Sequence, residues 1–325
     1  MIRRYRRELS VGAAYAVLLL ILAVRDLNAV LRGGPLGFYD PGQLRALIVS
    51  ATPLLVVAVG MTLVILARQI DISIGSQLCI CGVVAGLLAK AGLPMPLVAL
   101  AALLTGAGIG AANGALVAGL GLPSIVVTLA TYVIFRESLR WAREGAFMHD
   151  LPAGFQWFGA GQLAGQWLVV GIALAVFLTC AWGLRHLRIG RDVYATGSDP
   201  EAARLAGIRP RRVVFGVFVV MGALAGLAAL LNAVRFPDVD PNAGTGKELQ
   251  AIAAVVVGGV AISGGRGTLA GSLLGVALLG TIGPALSFLH TQPQWEKAIQ
   301  GLIILAAVAT DALPRRGKYT GRGKN

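Results

Sequence analysis

The residues best suited to chemistry in this chain are few and scattered. His149, His186 and His290 stand far apart in sequence, each alone, so their spacing spells neither a metal site nor a catalytic triad. Cys79, Cys81 and Cys180 fall in apolar runs without metal-ligand spacing and read as small core residues. Gly264, Gly265 and Gly267 surround Arg266. The pattern is not G-x-x-x-x-G-K followed by Ser or Thr, and no strand precedes it. A sharp break between helices is the reading, and a nucleotide-binding loop is excluded. With no nucleophile or acid/base constellation, the chain is not expected to be an enzyme, and neither a cofactor nor a metal is expected.

What remains is polar chemistry set in apolar sequence. The longest polar interruption is Leu187 to Arg212, and seven arginines lie from Arg185 to Arg212 against Asp192, Asp199 and Glu201. Ser198-Asp199-Pro200-Glu201 is a helix start, with a capping residue, a proline in the first turn and an acid at the positive end of the dipole. Ala202, Ala203, Arg204, Leu205 and Ala206 continue that helix, and Gly207 can end it. A solvated basic connector needs only the arginines. A capped helix is more than topology requires and reads as a docking surface, where Ala202 and Ala203 allow close approach and Glu201 and Arg204 face partner charges. Asp71 is a carboxylate beside apolar segments, costly unless paired or facing water. It is either a gating residue or, with Ser73, the cap that starts the next helix. Arg68 is its expected ion-pair partner or a snorkelling anchor. Asn113, Thr128, Thr131 and Asn232 fall within apolar runs. They can hydrogen-bond the hydroxyls of a solute in transit or join helix to helix.

These groups have to be positioned by membrane-spanning helices. Only 13% of the 325 residues are charged, against about 25% in soluble domains, and the mean hydropathy is +0.76. Runs near the roughly 20 residues that cross a bilayer recur along the chain. They predict an all-α polytopic membrane protein of about ten spans: 11–31, 44–67, a third ending near 89, 97–120, 125–139, 167–184, 213–233, 248–262, 268–286 and 295–313. The basic start and first apolar run lack a small-residue cleavage site and read as a first span. The net charge of +13 does not point to nucleic acid. Its basic residues cluster in Arg3–Arg7, Arg185–Arg212 and Arg315–Lys324, and ten spans put all three blocks and both termini in the cytoplasm, as the positive-inside rule requires. The loops 141–166 and 235–247 then lie outside. The breaks at Asp71 and Arg266 occupy similar places in the two halves and hint at an internal repeat.

Five motifs in order carry a family resemblance: GMTLVILARQIDISIGS (Gly60–Ser76), LPSIVVTLATY (Leu122–Tyr132), GRDVYATGSDPEAARLAGI (Gly190–Ile208), the run Gly246–Gly275, and WEKAIQGLIILAAVATD (Trp295–Asp311). The chain resembles the permease subunits of bacterial ABC sugar importers, in the branch that includes ribose, rhamnose and autoinducer-2 permeases. Arg68-Gln69, where ribose-type sequences more often carry two glycines, leans toward the autoinducer-2 group. The resemblance implies a single permease domain over residues 1–325, with a cytoplasmic coupling loop at 185–212 and a basic tail at 314–325. It implies a place in the bacterial inner membrane. Expected partners are two cytoplasmic ATPase subunits, a second permease (the same or a paralogue) and a periplasmic sugar-binding protein docking on the two outer loops, with lipid around the spans. Gly197, Asp199, Pro200, Glu201, Ala202, Ala203, Arg204 and Gly207 would couple to the ATPase, and the motion would pass to the flanking spans in alternating access. The alternative is an ion-coupled secondary transporter of a small polar solute, which needs an intramembrane carboxylate relay. Mid-span acids are scarce here.

Overall fold

The computed structural model describes residues 6–33, 35–292 and 294–312. Arg3, Arg4 and the tail 314–325 lie outside the described residues. The elements are α1 (Arg6–Leu31), α2 (Pro41–Leu66), α3 (Ile74–Lys90), α4 (Met95–Gly114), α5 (Ser124–Arg143), α6 (Gln162–His186), α7 (Arg188–Ser198), α8 (Pro200–Leu205), α9 (Pro210–Ala233), α10 (Lys247–Val257), α11 (Leu269–Phe288) and α12 (Trp295–Ala312). A π turn, Ala115–Gly119, prolongs α4. The expected all-α class holds among the described residues.

Among the described residues, six helices are long and apolar enough to cross a membrane: Ser10–Asn28 within α1, α2, α4 with its π turn, α6, α9 and α11. The expected count of about ten is not reached on length and composition. α3 has 17 residues and α10 only 11. Eleven residues rise about 16 Å, half of a hydrocarbon core of about 30 Å. α5 carries Arg136, Glu137, Arg140 and Arg143 in its second half. The expected span 248–262 stops being helical at Val257, where Gly258 and Gly259 follow.

α2 is the central post. Its apolar window is 72% buried, against 17–56% for the other five candidate spans. Proline at position 53 supplies no N–H to the Val49 carbonyl, and the Thr52 hydroxyl donates to that carbonyl instead, at 2.7 Å. Farther along, Thr62 and Ser272 join α2 to α11 through their hydroxyls at 2.7 Å.

α4 and α9 approach backbone to backbone. A Cβ on Gly106 would collide with the Gly222 carbonyl, one on Gly222 with the Gly106 carbonyl, and one on Gly226 with Ala102. Small residues four apart on both helices make this contact possible, and in lipid such packing replaces the hydrophobic drive.

The segment joining α9 to α10, expected as an outer loop, packs against the bundle. It lies along α3, with Val239 against Gly82 and Gly86 and Gly244 against Gly75 and Cys79. α10 therefore begins beside the first turn of α3, which is why so short a helix suffices there. Met148 pairs with Val239 in an isolated antiparallel bridge, tying the connection after α5 to this segment.

Replacing Gly222 with Val is expected to force α4 and α9 apart and cost about 1–3 kcal/mol. Gly108→Ala, whose Cβ would meet open space, should cost nothing of that kind. Thermal unfolding of the two purified variants in detergent compares them.

Candidate functional site

The helix signalled by Asp199–Gly207 is present as α8. Asp199 is its N-cap, accepting from the backbone N–H of Glu201 at 3.0 Å and of Ala202 at 3.1 Å, with Pro200 in the first turn. Gly207 closes it at φ +81°. The Ile208 N–H bonds the Ala203 carbonyl and the Gly207 N–H bonds the Arg204 carbonyl, both at 3.0 Å, a Schellman end. Ala203 does not offer itself to a partner as expected. It is 3% exposed, turned into the chain. The outward face is Ala202 and Leu205, the latter 86% exposed. Glu201 and Arg204 pair with each other on that face, at 3.3 Å.

Gly197 belongs to a different contact. A Cβ there would collide with the Leu66 carbonyl at the end of α2 and crowd the Gly265 N–H. The Gly265 N–H in turn donates to that Leu66 carbonyl at 2.9 Å. Gly265, at φ +68°, leaves no room for a side chain against Ser198. The Tyr194 hydroxyl donates to the Gly267 carbonyl at 2.9 Å. The end of α7, the end of α2 and the turn before α11 thus form one three-way junction. The two breaks singled out in the sequence, after α2 and before α11, meet each other here.

At the same junction α2 ends in a second Schellman motif. The N–H groups of Arg68 and Gln69 bond the Ile65 and Val64 carbonyls at 2.9 and 3.0 Å. Arg68 takes the left-handed position, φ +63°, where glycine is usual.

Asp71 is fully buried, and its expected pairing with Arg68 does not form; Arg68 is exposed. The Asp71 carboxylate instead accepts from the Ser73 N–H at 2.9 Å, the Ser73 hydroxyl at 2.6 Å and Gln77 Nε2 at 3.1 Å. Asn113 Nδ2 reaches the Ser73 hydroxyl at 2.8 Å. Thr128 accepts from the Ile72 N–H at 3.1 Å, and the Thr131 hydroxyl donates to the Thr128 carbonyl at 3.3 Å. Backbone left unpaired by the break is thereby satisfied from α5, where Ser124 and Thr128 accept from the Ile70 and Ile72 N–H groups. Asn113 of α4 braces the Ser73 hydroxyl, and Asp71 fixes Ser73, the residue from which α3 starts.

Asn113 Nδ2, Thr128 and Thr131 therefore make internal bonds, although Asn113 Oδ1 is buried without a partner, whereas Asn232 lines a cavity of about 610 Å³. Its walls are α2 from Ser50 to Val57, Leu78 and Gly82 of α3, the end of α9, and the segment from Arg235 to Lys247. Arg235 lies over the Phe236 ring, 5.4 Å from its centre, and burial pulls its guanidinium below the usual arginine range. Asp238 is paired with His149 Nδ1 at 2.9 Å. Asp71 and Ser73 are not among the lining residues.

Comparison with known proteins says what kind of chain carries this arrangement. Residues 43–308 match the family described as the permease component of the branched-chain amino acid transport system. The autoinducer 2 import system permease protein LsrC of Salmonella typhimurium strain LT2 is 36% identical over 262 residues, covering 81% of this chain and 76% of that protein. LsrC of Escherichia coli K12 is likewise 36% identical over 262 residues, covering 81% of this chain and 77% of the relative. The chain belongs to this permease family. No solved structure matches it. The permease is a membrane transport component, not an enzyme, and a permease of this kind works with ATPase and solute-binding partners.

Sequence reasoning found α8, its caps and both breaks in the permease. It missed Tyr194, Ser198 and Gly265 as a joint, and Arg235, Asp240 and Lys247 as cavity walls. The glycines at 264, 265 and 267 signalled a break but not what the break would touch.

Removing the Asp71 carboxylate strands the groups it organises. Asp71→Ala should lower stability by about 1–3 kcal/mol, and Asp71→Asn, which keeps an acceptor oxygen, should lose less. The melting temperatures of the purified permease variants measure the difference.

Proposed function

We propose that this permease is the membrane subunit of an ATP-binding-cassette importer for a sugar or sugar-like solute of the ribose, rhamnose or autoinducer-2 class. The observation that carries the reading is α8. It is a capped, exposed helix between α6 and α9, presenting Leu205 and the Glu201–Arg204 pair outward while α7 behind it is locked to the bundle at Gly197. In this reading α8 lies in the cytoplasm and seats in a groove of an ATPase subunit. Asp199, Pro200 and Gly207 fix its ends, and Ala203 and Gly197 fix its base.

ATP-driven closure of two ATPase subunits moves α8, and α7 carries the motion. The flanking helices α6 and α9 receive it directly. The three-way junction adds a second route, through the Leu66 end of α2 and the Gly265 turn of α11, so that both breaks shift together. That shift alternates access to the cavity.

The same reading counts the shorter helices α3, α5 and α12, and α10 together with the turn that follows it, as passes in a ten-span inner-membrane subunit, with both termini on the cytoplasmic side. A second permease, identical or paralogous, completes the pathway, and a periplasmic binding protein delivers the solute. The autoinducer 2 import permeases to which the chain is similar support that solute class.

The test is ATP hydrolysis by the permease reconstituted with its ATPase, its second permease and binding proteins loaded with ribose, rhamnose or autoinducer-2. One loaded binding protein should stimulate hydrolysis. Leu205→Asp and Glu201→Arg should abolish co-purification of the ATPase and lower uptake at least tenfold. An ATPase that stays bound to both variants, or uptake that stops with a proton uncoupler while ATP persists, defeats the reading.

A further inference from the structure

We infer that the elbow between α6 and α7 is a binding site for an anionic phospholipid, its headgroup phosphate held by Arg185, Arg188 and Arg191 and its glycerol and upper acyl chain lying against Trp182. The inference requires that α6 crosses the membrane, and it goes beyond the importer reading.

The apolar side comes from α6, a helix of membrane-spanning length whose apolar window is only 17% buried. Leu174, Leu178 and Trp182 recur every four residues on it and are all exposed. One face of the helix therefore stands open over the roughly 12 Å that eight residues rise. Arg185 continues that face three residues farther on and is exposed too. Aliphatic side chains, then tryptophan, then arginine follow the order of acyl chain, glycerol and phosphate at a bilayer surface. The indole is held for this role. His186 stacks on it with ring centres 5.7 Å apart, and His186 Nδ1 lies 3.1 Å from the Trp182 carbonyl.

The polar side comes from the bend. α6 ends at His186, Leu187 is extended, and α7 starts at Arg188. The turn is tight, since a Cβ on Gly190 would collide with the Leu184 carbonyl. Val193, Thr196 and Gly197 of α7 are buried in the bundle, while Arg188 and Arg191, one turn apart, are exposed. These cations are short of counter-charge. Arg185 and Arg191 have no carboxylate within ion-pair distance among the described residues, and Asp192 reaches Arg188 only at 4.0 Å. On α8, by contrast, Glu201 and Arg204 pair with each other and Asp199 is used as the cap. The excess positive charge thus belongs to the elbow and not to the face proposed for the ATPase. Guanidinium groups fork onto phosphate oxygens, and basic clusters at the end of a span attract anionic headgroups. A phosphodiester seated here, with its chains along Leu174 and Leu178, bridges the end of α6 to the start of α7 and braces the angle between them.

The experiment places the full chain in nanodiscs of phosphatidylcholine with a minor share of phosphatidylglycerol, the composition being the same throughout. Bromine is carried on the acyl chains of the phosphatidylglycerol in one set and on an equal amount of phosphatidylcholine in the other. Bromine quenches a neighbouring indole, and the quenching lost in Trp182→Phe belongs to that residue. Brominated phosphatidylglycerol should quench Trp182 about twofold more strongly, or better. Arg185→Gln, Arg188→Gln and Arg191→Gln together should make the two sets equal, whereas Arg185→Lys, Arg188→Lys and Arg191→Lys together should keep most of the preference. Arg209→Gln, Arg211→Gln and Arg212→Gln together remove the same charge from the start of α9 and should leave the preference intact. Equal quenching in the unmutated chain overturns the site. So does a preference lost equally in both glutamine variants, because a general attraction of basic ends for anionic lipid then accounts for it. Phosphatidylglycerol should also raise the melting temperature of the detergent-purified chain, and an equal rise with inorganic phosphate overturns the lipid as ligand. If the elbow glutamine variant sheds the ATPase while the quenching preference persists, the surface docks protein and the inference falls. None of the quenching results depends on whether a loaded binding protein stimulates hydrolysis, so failure of the importer reading is distinguishable from failure of this one.

Discussion

The Leu66 carbonyl accepting the Gly265 N–H is the contact on which the arrangement turns. It joins the end of α2 to the turn before α11, where Gly264 also packs against Arg68. The bond is possible at this separation because Gly197 presents no side chain between them. Three segments far apart in sequence therefore meet through backbone atoms. Backbone contacts leave little slack, since side-chain rotamers cannot absorb a displacement. In the proposed coupling, a push on α7 reaches both breaks.

The wider constraint is that backbone polar groups in apolar surroundings need partners inside the protein. Each irregularity in the bundle is answered locally. Pro53 leaves the Val49 carbonyl free, and Thr52 fills it. The end of α2 closes on itself through Arg68 and Gln69. The break that follows is held by Asp71 from within and by Ser124 and Thr128 from α5. The polar residues that looked suited to solute contact are largely consumed in this task. Asn113 and Thr128 hold the architecture because the break beside them exists.

The division between polarity spent inside the bundle and polarity left on the cavity wall follows from how the α9–α10 connection folds. Laid along α3, it brings Arg235, Asp240 and Lys247 to a cavity wall where a loop standing free in water would leave them hydrated. Gly75 and Gly244 permit the approach by letting the two backbones touch. The same approach shortens α10 to half a membrane span, so the cavity and the short helix have one cause.

The sequence by itself determined what is local. Hydrophobic run lengths set the helices, and the Asp199-Pro200-Glu201 start and Gly207 stop set α8, because caps act within one turn. The breaks at Asp71 and Gly264–Gly267 were legible for the same reason. The five motifs named the permease family, since they report a shared history that no single contact reveals. The tertiary structure alone decided which groups meet. The Arg68–Asp71 pairing suggested by their spacing fails because the left-handed turn at Arg68 sends its side chain to the surface while Asp71 turns inward. Ala203 faces inward because α8 lies on the bundle with that side down. Of four candidate pathway residues only Asn232 reaches the cavity, because side-chain direction depends on helix rotation against neighbours. That rotation is fixed by Gly106 on Gly222 and Gly197 on Leu66, contacts between residues more than a hundred positions apart that no local pattern encodes.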